Sequence, residues 1–289
     1  MRIQRKRLTS TVDCSSRWRR TVYVLRSILL VHLAAVWALS SVPSWASGLS
    51  PEARGTEIFA QREARNEGYG DYQVDLTMVL RNALGDSSHR ELRIQQLEVP
   101  EDGDKLLIVF ETPKVIKGTA LLSYGHKLEP DDQWLYLPAM KRVKRITSRN
   151  KSGPFLGSEF AFEDLASQEL EKYRYRYLRD ETLDGVACHV VERYPNDVYS
   201  GYTRQVVWLD QAELRIVQIH YYDRKESHLK TLRLEDYRLY ADRFWKPSTM
   251  FMENLQTRKS TELTWGDYTF GVGLVDERDF STNSLKRVQ

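Results

Sequence analysis

The strongest constraint on this chain is a two-residue alternation of apolar and polar side chains that recurs over most of its length. Val74, Leu76, Met78 and Leu80 alternate with Asp75, Thr77 and Arg81, the pattern of a strand with one buried face. The same alternation returns at 92–94, 106–110, 120–124, 134–137 and 143–146, then at 173–177, 186–191, 204–209, 215–222, 229–237, 249–252 and 261–270. Turn-forming runs separate these segments, among them Asn82-Ala83-Leu84-Gly85-Asp86, Glu101-Asp102-Gly103-Asp104, Pro130-Asp131-Asp132 and Leu183-Asp184-Gly185. Parallel pairing needs crossovers of a dozen residues or more, so short connections imply one antiparallel sheet. A sheet of ten or more strands has to curl or close on itself. With no internal repeat or low-complexity linker, residues 47–289 are expected to form one domain.

The N-terminal end has a different character. Residues 1–26 carry eight Lys or Arg against one acid, Asp13, and an apolar stretch follows from Ile28 to Leu39. This is the order of a secretory signal, with Ser44-Trp45-Ala46 supplying the small residues of a cleavage site, and the cut is expected after Ala46. The apolar run, broken by His32 and closed by Pro43, is shorter than the roughly 20 residues that span a bilayer. Removing the segment takes away eight of 43 bases and one of 40 acids, leaving 35 against 39 and a net charge of −4 in place of +3. The basic balance therefore gives no argument for nucleic acid. Cys14 leaves as well, so Cys188 has no partner for an internal disulfide. Ser50-Pro51-Glu52 then opens a helix expected over 51–65, with Ile58, Phe59, Ala60 and Ala64 as its packing stripe.

Catalytic patterns are absent: no His-Glu-x-x-His, Cys-x-x-Cys, nucleophile elbow or P-loop occurs. His89, His126, His189, His220 and His228 are scattered, and Cys188 reads as a small buried hydrophobe on a strand. No cofactor and no metal site is expected. The segment 148–166 interrupts the strands with Ser152-Gly153-Pro154 and Gly157-Ser158 and carries Phe155, Leu156, Phe160, Phe162 and Leu165. It reads either as an apolar lid or as an ordinary plug of core at one end of the barrel. The run from Lys141 to Lys151 holds six cations and no acid, including Lys141, Arg142, Lys144 and Arg145. It is either a solvated face or a docking site for acidic headgroups or an acidic partner. Trp134, Tyr136, Trp208, Met250, Met252 and Trp265 lie on alternating runs. They are candidates to line a pocket for acyl chains, since so large a curled sheet encloses more room than its own side chains fill.

Two blocks carry a resemblance. Trp134-Leu135-Tyr136-Leu137-Pro138-Ala139 runs into the basic stretch, and Gly153-Pro154-Phe155-Leu156-Gly157-Ser158-Glu159-Phe160 with Phe162-Glu163-Asp164-Leu165 follows. Together they resemble the outer-membrane lipoprotein-sorting protein family, the LolA-like relatives of the periplasmic lipoprotein carrier. The segments 182–188 and Phe244-Trp245-Lys246-Pro247 add weaker likeness. The resemblance implies a half-open barrel of about eleven antiparallel strands with a helical lid around an apolar cavity. It further implies a monomeric, non-enzymatic periplasmic carrier of lipoprotein or lipid cargo that meets an inner-membrane transporter and an outer-membrane acceptor. The rival expectation is an accessory subunit docked on an inner-membrane lipid exporter of the resistance-nodulation-division type.

Overall fold

The computed structural model describes residues 48–287; the expected signal peptide at 1–46 falls outside them. Fourteen strands form one antiparallel sheet. The first run is β1 (Asp71–Arg81), β2 (Ser87–Leu97), β3 (Lys105–Thr112), β4 (Ala120–Tyr124), β5 (Asp132–Leu137) and β6 (Arg142–Ile146). The second is β7 (Tyr173–Leu183), β8 (Val186–Pro195), β9 (Tyr202–Asp210), β10 (Ile216–Asp223), β11 (His228–Tyr240), β12 (Phe244–Asn254) and β13 (Lys259–Trp265), with β14 (Thr269–Phe270) paired to β1. Each run is a meander in which consecutive strands are neighbours, and β1 joins the two by pairing with β13. The strand count exceeds the eleven that the resemblance implies: each of the thirteen alternating runs forms its own strand, and the last, 261–270, breaks into β13 and β14.

The sheet stays open, since β6 and β7 are its two edges. It is nevertheless bent. Ile108 on β3 and Ile219 on β10 line the same cavity, although five strands separate them and a flat sheet would hold them roughly 29 Å apart. The register explains how the inner face stays apolar: Val74, Ile94, Ile108, Leu121 and Leu135 are successive cross-strand partners from β1 to β5. Leu232, Ile219, Val207 and Val191 form the matching row from β11 to β8. All nine belong to one buried cluster.

Because β6 and β7 are opposite edges but consecutive in sequence, the segment between them has to cross the sheet, and it does so over the inner face. Its tip is a tight hairpin in which the Phe155 amide donates to the Phe160 carbonyl at 2.7 Å. Leu156 and Gly157 take positive φ values of 47° and 83°. A helix, α1 (Pro51–Asn66), is capped by the Ser50 hydroxyl, which accepts from the Ala53 amide at 3.1 Å. It packs on β7 through Ile58 and Phe59, with the Phe59 and Tyr175 rings 4.5 Å apart. Gly55 makes this possible, since a Cβ there would sit 2.8 Å from the Tyr177 backbone nitrogen. A short second helix, α2 (Asp276–Asp279), leads into a C-terminal segment that covers part of the outer face. No described helix is long and apolar enough to cross a membrane.

Candidate functional site

The inner face is not completely filled. Between the sheet, α1 and the crossing segment lies an apolar cavity of about 230 Å³. Leu76, Met78, Leu92, Ile94, Ile219, Leu232, Leu263 and Trp265 form its sheet walls, and Phe155, Phe160 and Leu165 of the crossing segment close it. An engineered cavity of roughly 150 Å³ takes up benzene, so this one has room for a chain of roughly ten carbons. Two wetter clefts beside α1 share lining residues with it. The first, about 700 Å³, lies between α1 and the hairpins of β10–β13; the second, about 760 Å³, lies between α1 and the β2–β3 connection. Arg62, Tyr72 and Met250 border all three spaces, and Lys246 borders both clefts.

The two ends of the inner face are held differently. The crossing segment is fastened by Asp164 and Glu163. Asp164 receives Lys230 Nζ at 2.6 Å, Tyr202 OH at 2.8 Å and the Ala161 amide at 2.7 Å. Both the Lys230 and Asp164 side chains are only 4 % exposed. Glu163 accepts from the Ser200 hydroxyl at 2.7 Å and the Gly201 amide at 2.9 Å. Burial, then the neighbouring Asp164 charge, pushes the Glu163 carboxyl up to about 7. Further, Gln133 Nε2 donates to the Phe162 carbonyl and the Glu159 amide donates to the Thr261 hydroxyl, so strands of both meanders grip the segment. At the other end, Lys246 faces the Tyr72, Tyr69 and Tyr268 rings at 5.2, 5.4 and 5.9 Å. Burial, then the Arg62 charge, lowers its ammonium to about 8. Burial also lowers the Arg62 guanidinium from its ordinary value.

Comparison with solved structures decides what kind of chain this is. An outer membrane lipoprotein-sorting protein domain from Vibrio parahaemolyticus is 52% identical, with a TM-score of 0.79, covering 81% of this chain and 99% of that one. The chain belongs to the outer-membrane lipoprotein-sorting protein family. A DUF1329 family protein from Desulfovibrio piger is 26% identical over 82% of this chain and 100% of that one, with a TM-score of 0.78. A LolA superfamily protein from Nitrosomonas europaea shares the fold at 18% identity and a TM-score of 0.65, covering 82% of this chain and 99% of that one. A family model described as "Uncharacterized protein" matches residues 102–287. No curated protein matches the chain.

In this member of the family the sequence-chosen aromatics and methionines separate into two groups. Met250 and Trp265 border the cavity, and Met252 is buried in the inner cluster beside it. Trp134, Tyr136 and Trp208 do not belong there. Trp134 and Tyr136 pack on the outer face with Leu107, Leu122, Phe280 and Leu285, and Trp208 packs there with Cys188, Val190 and Val206. Alternation puts two residues on a common face without saying which face, and β5 and β9 bury apolar side chains on both. Phe155, Phe160 and Phe162 are core residues of the crossing segment, with Leu156 and Leu165 packed beside them.

Lys141, Arg142, Lys144 and Arg145 are exposed along edge strand β6, where Arg145 pairs with Asp132. Lys151, at the end of the same run, is buried instead, its ammonium donating to the Asp131 carbonyl at 2.5 Å. Sequence reasoning assigned no role to Arg62, Lys246, Lys230, Glu163 or Asp164. Three of them sat inside the family-like motifs, but nothing local said that these charges end up inside the fold.

Proposed function

We propose that this protein is a periplasmic carrier that takes the acyl chain of a lipoprotein or lipid into the cavity of its inner face and moves it toward the outer membrane. The observation that carries the reading is the apolar cavity itself, roofed by α1 and the crossing segment and flanked by polar clefts that share its lining residues Arg62, Tyr72 and Met250. The lipoprotein-sorting name of the Vibrio relative and the export signal expected at 1–46 support it. Each buried methylene is worth about 0.8 kcal/mol, so a 16-carbon chain crossing water unaided loses on the order of 10 kcal/mol. A walled cavity offsets that loss without any covalent chemistry, which makes the protein a binding protein rather than an enzyme.

Cargo longer than about ten carbons needs more room than the closed cavity offers, so loading separates α1 or the crossing segment from the sheet. Release then requires a partner that favours the opened form. Purification from bacterial envelopes, lipid extraction and mass spectrometry test the proposal. Co-purifying acylated molecules and displacement of a fluorescent fatty acid are expected. Protein that is consistently empty and binds no fluorescent fatty acid overturns it.

The exposed cations of β6 favour a second reading, in which the protein docks on an inner-membrane exporter. An edge strand with unpaired backbone groups and a row of Lys and Arg is suited to an acidic partner surface.

A further inference from the structure

Among the cations of the inner face, Arg193 borders the cavity without a carboxylate but donates to Gln205 Oε1 at 2.7 Å and Gln168 Oε1 at 3.0 Å, whereas Lys246 and Arg62 lack even such neutral acceptors among the described residues. Among the described residues neither side chain has a carboxylate within salt-bridge distance, whereas Lys230, Lys172 and Arg215 each have one at 2.6, 2.5 and 2.8 Å. The acids nearest Lys246 are already engaged. Asp104 accepts from Tyr69 OH at 2.5 Å, Gln96 Nε2 at 2.9 Å and the Val99 amide at 3.2 Å. Glu98 accepts from the Gly68 and Gly70 amides at 2.5 and 2.8 Å. Two partly desolvated cations without counter-charges cost the fold stability, and such groups persist where an anion from outside completes them. Both border the two clefts beside α1, and Arg62 borders the apolar cavity as well. Trp265, which borders the cavity beside them, adds an indole N–H that is buried and has no acceptor.

We propose that Arg62 and Lys246 form an anion subsite at the mouth of the cavity. The cargo it selects is an amphiphile with a carboxylate or phosphate head held between these two side chains and an acyl chain directed among Leu76, Met78, Leu232 and Leu263. This rests on the carrier reading and narrows it, because a diacylated protein with a neutral attachment point places no anion there. Arg62 is suited to grip two oxygens of such a head with its planar fork, while the Lys246 ammonium supplies a point charge braced by tyrosine rings.

The test uses a matched pair of ligands, decanoate and decanol, titrated into the purified chain lacking residues 1–46 and followed by displacement of a fluorescent probe. Decanoate is expected to bind at least tenfold more tightly than decanol, the margin of a charge-assisted hydrogen bond. In the double variant Arg62→Gln, Lys246→Met the two are expected to bind alike, at the affinity of decanol. Inorganic phosphate at millimolar concentration is expected to weaken decanoate and leave decanol unchanged in the unaltered protein, which checks the subsite without any substitution.

Equal affinity for the two ligands in the unaltered protein overturns the anion subsite and leaves the carrier reading intact. Binding of neither overturns both. Saturable binding of phosphate without any preference for decanoate assigns the cations to a free anion and overturns the headgroup role.

Discussion

Two lysines on the inner face of this sheet, Lys230 and Lys246, have opposite surroundings. Lys230 on β11 is almost fully buried and rests on Asp164 at 2.6 Å, with the Glu159 carbonyl as a further acceptor at 2.8 Å. Lys246 on β12 is partly buried among tyrosine rings and has no carboxylate of its own. The first is a fastening that ties the crossing segment to the sheet. The second is a charge kept at a disadvantage, and its position at the mouth makes it a binding group. A buried cation with its partner reports on architecture, and one without its partner reports on what the protein binds.

Removing each lysine sharpens this contrast most. Lys230→Met leaves the Asp164 carboxylate buried without its cation and is expected to cost about 3–5 kcal/mol in denaturant unfolding, with the crossing segment released first. Lys246→Met is expected to do the reverse. Folding lowers the ammonium to about 8 from 10.5, so the unfolded chain holds the proton more tightly. The cost is present below about pH 8 and fades as pH rises toward 10.5. Stability at pH 7 should therefore rise by about 1–2 kcal/mol, or several degrees in Tm, with a smaller gain at pH 10. A destabilised Lys246→Met protein breaks the comparison.

Glu163 tests the fastening through pH. Its carboxyl is raised from 4.5 to about 7 by burial and by Asp164, so the folded state holds the proton that the unfolded state gives up. Its contribution is present below about pH 4.5 and is lost as pH rises through 7, a loss of about 3 kcal/mol. Hydrogen exchange in residues 153–166 should quicken across that interval, and Glu163→Gln should flatten the dependence. An unchanged pH profile in the variant removes Glu163 from the fastening.

The smallest structural effect belongs to the cations of β6. Reversing Lys141, Arg142, Lys144 and Arg145 to Glu is expected to change stability by only about 0.5 kcal/mol per site or less, because these side chains are exposed, and to leave decanoate binding unchanged. Loss of binding to a membrane partner with ligand binding intact would support the docking reading; loss of ligand binding would place these residues at the site instead.

The contrast between the lysine pair and the β6 run also shows what was legible beforehand. Six cations in eleven residues are conspicuous in a sequence, yet most of them remain in water. Arg62 and Lys246 are inconspicuous, one on a helix and one on a distant strand, and only the packing of α1 over the sheet brings them to one opening. The Glu163-Asp164-Leu165 block was visible as a family motif, while its use as a fastening depends on Lys230, Ser200 and Tyr202 arriving from other strands.

By itself the sequence determined that the chain makes many antiparallel strands with an N-terminal helix, because alternation, turn residues and caps act over a few neighbours. It also determined the apolar character of the segment between β6 and β7. Tertiary structure alone decided which side of each strand faces inward, and so moved Trp134, Tyr136 and Trp208 to the outer face while leaving Met250 and Trp265 at the cavity. The reason is that alternation has two equivalent solutions for each strand. The choice between them is made by the bend of the whole sheet and by the segments that cover each face.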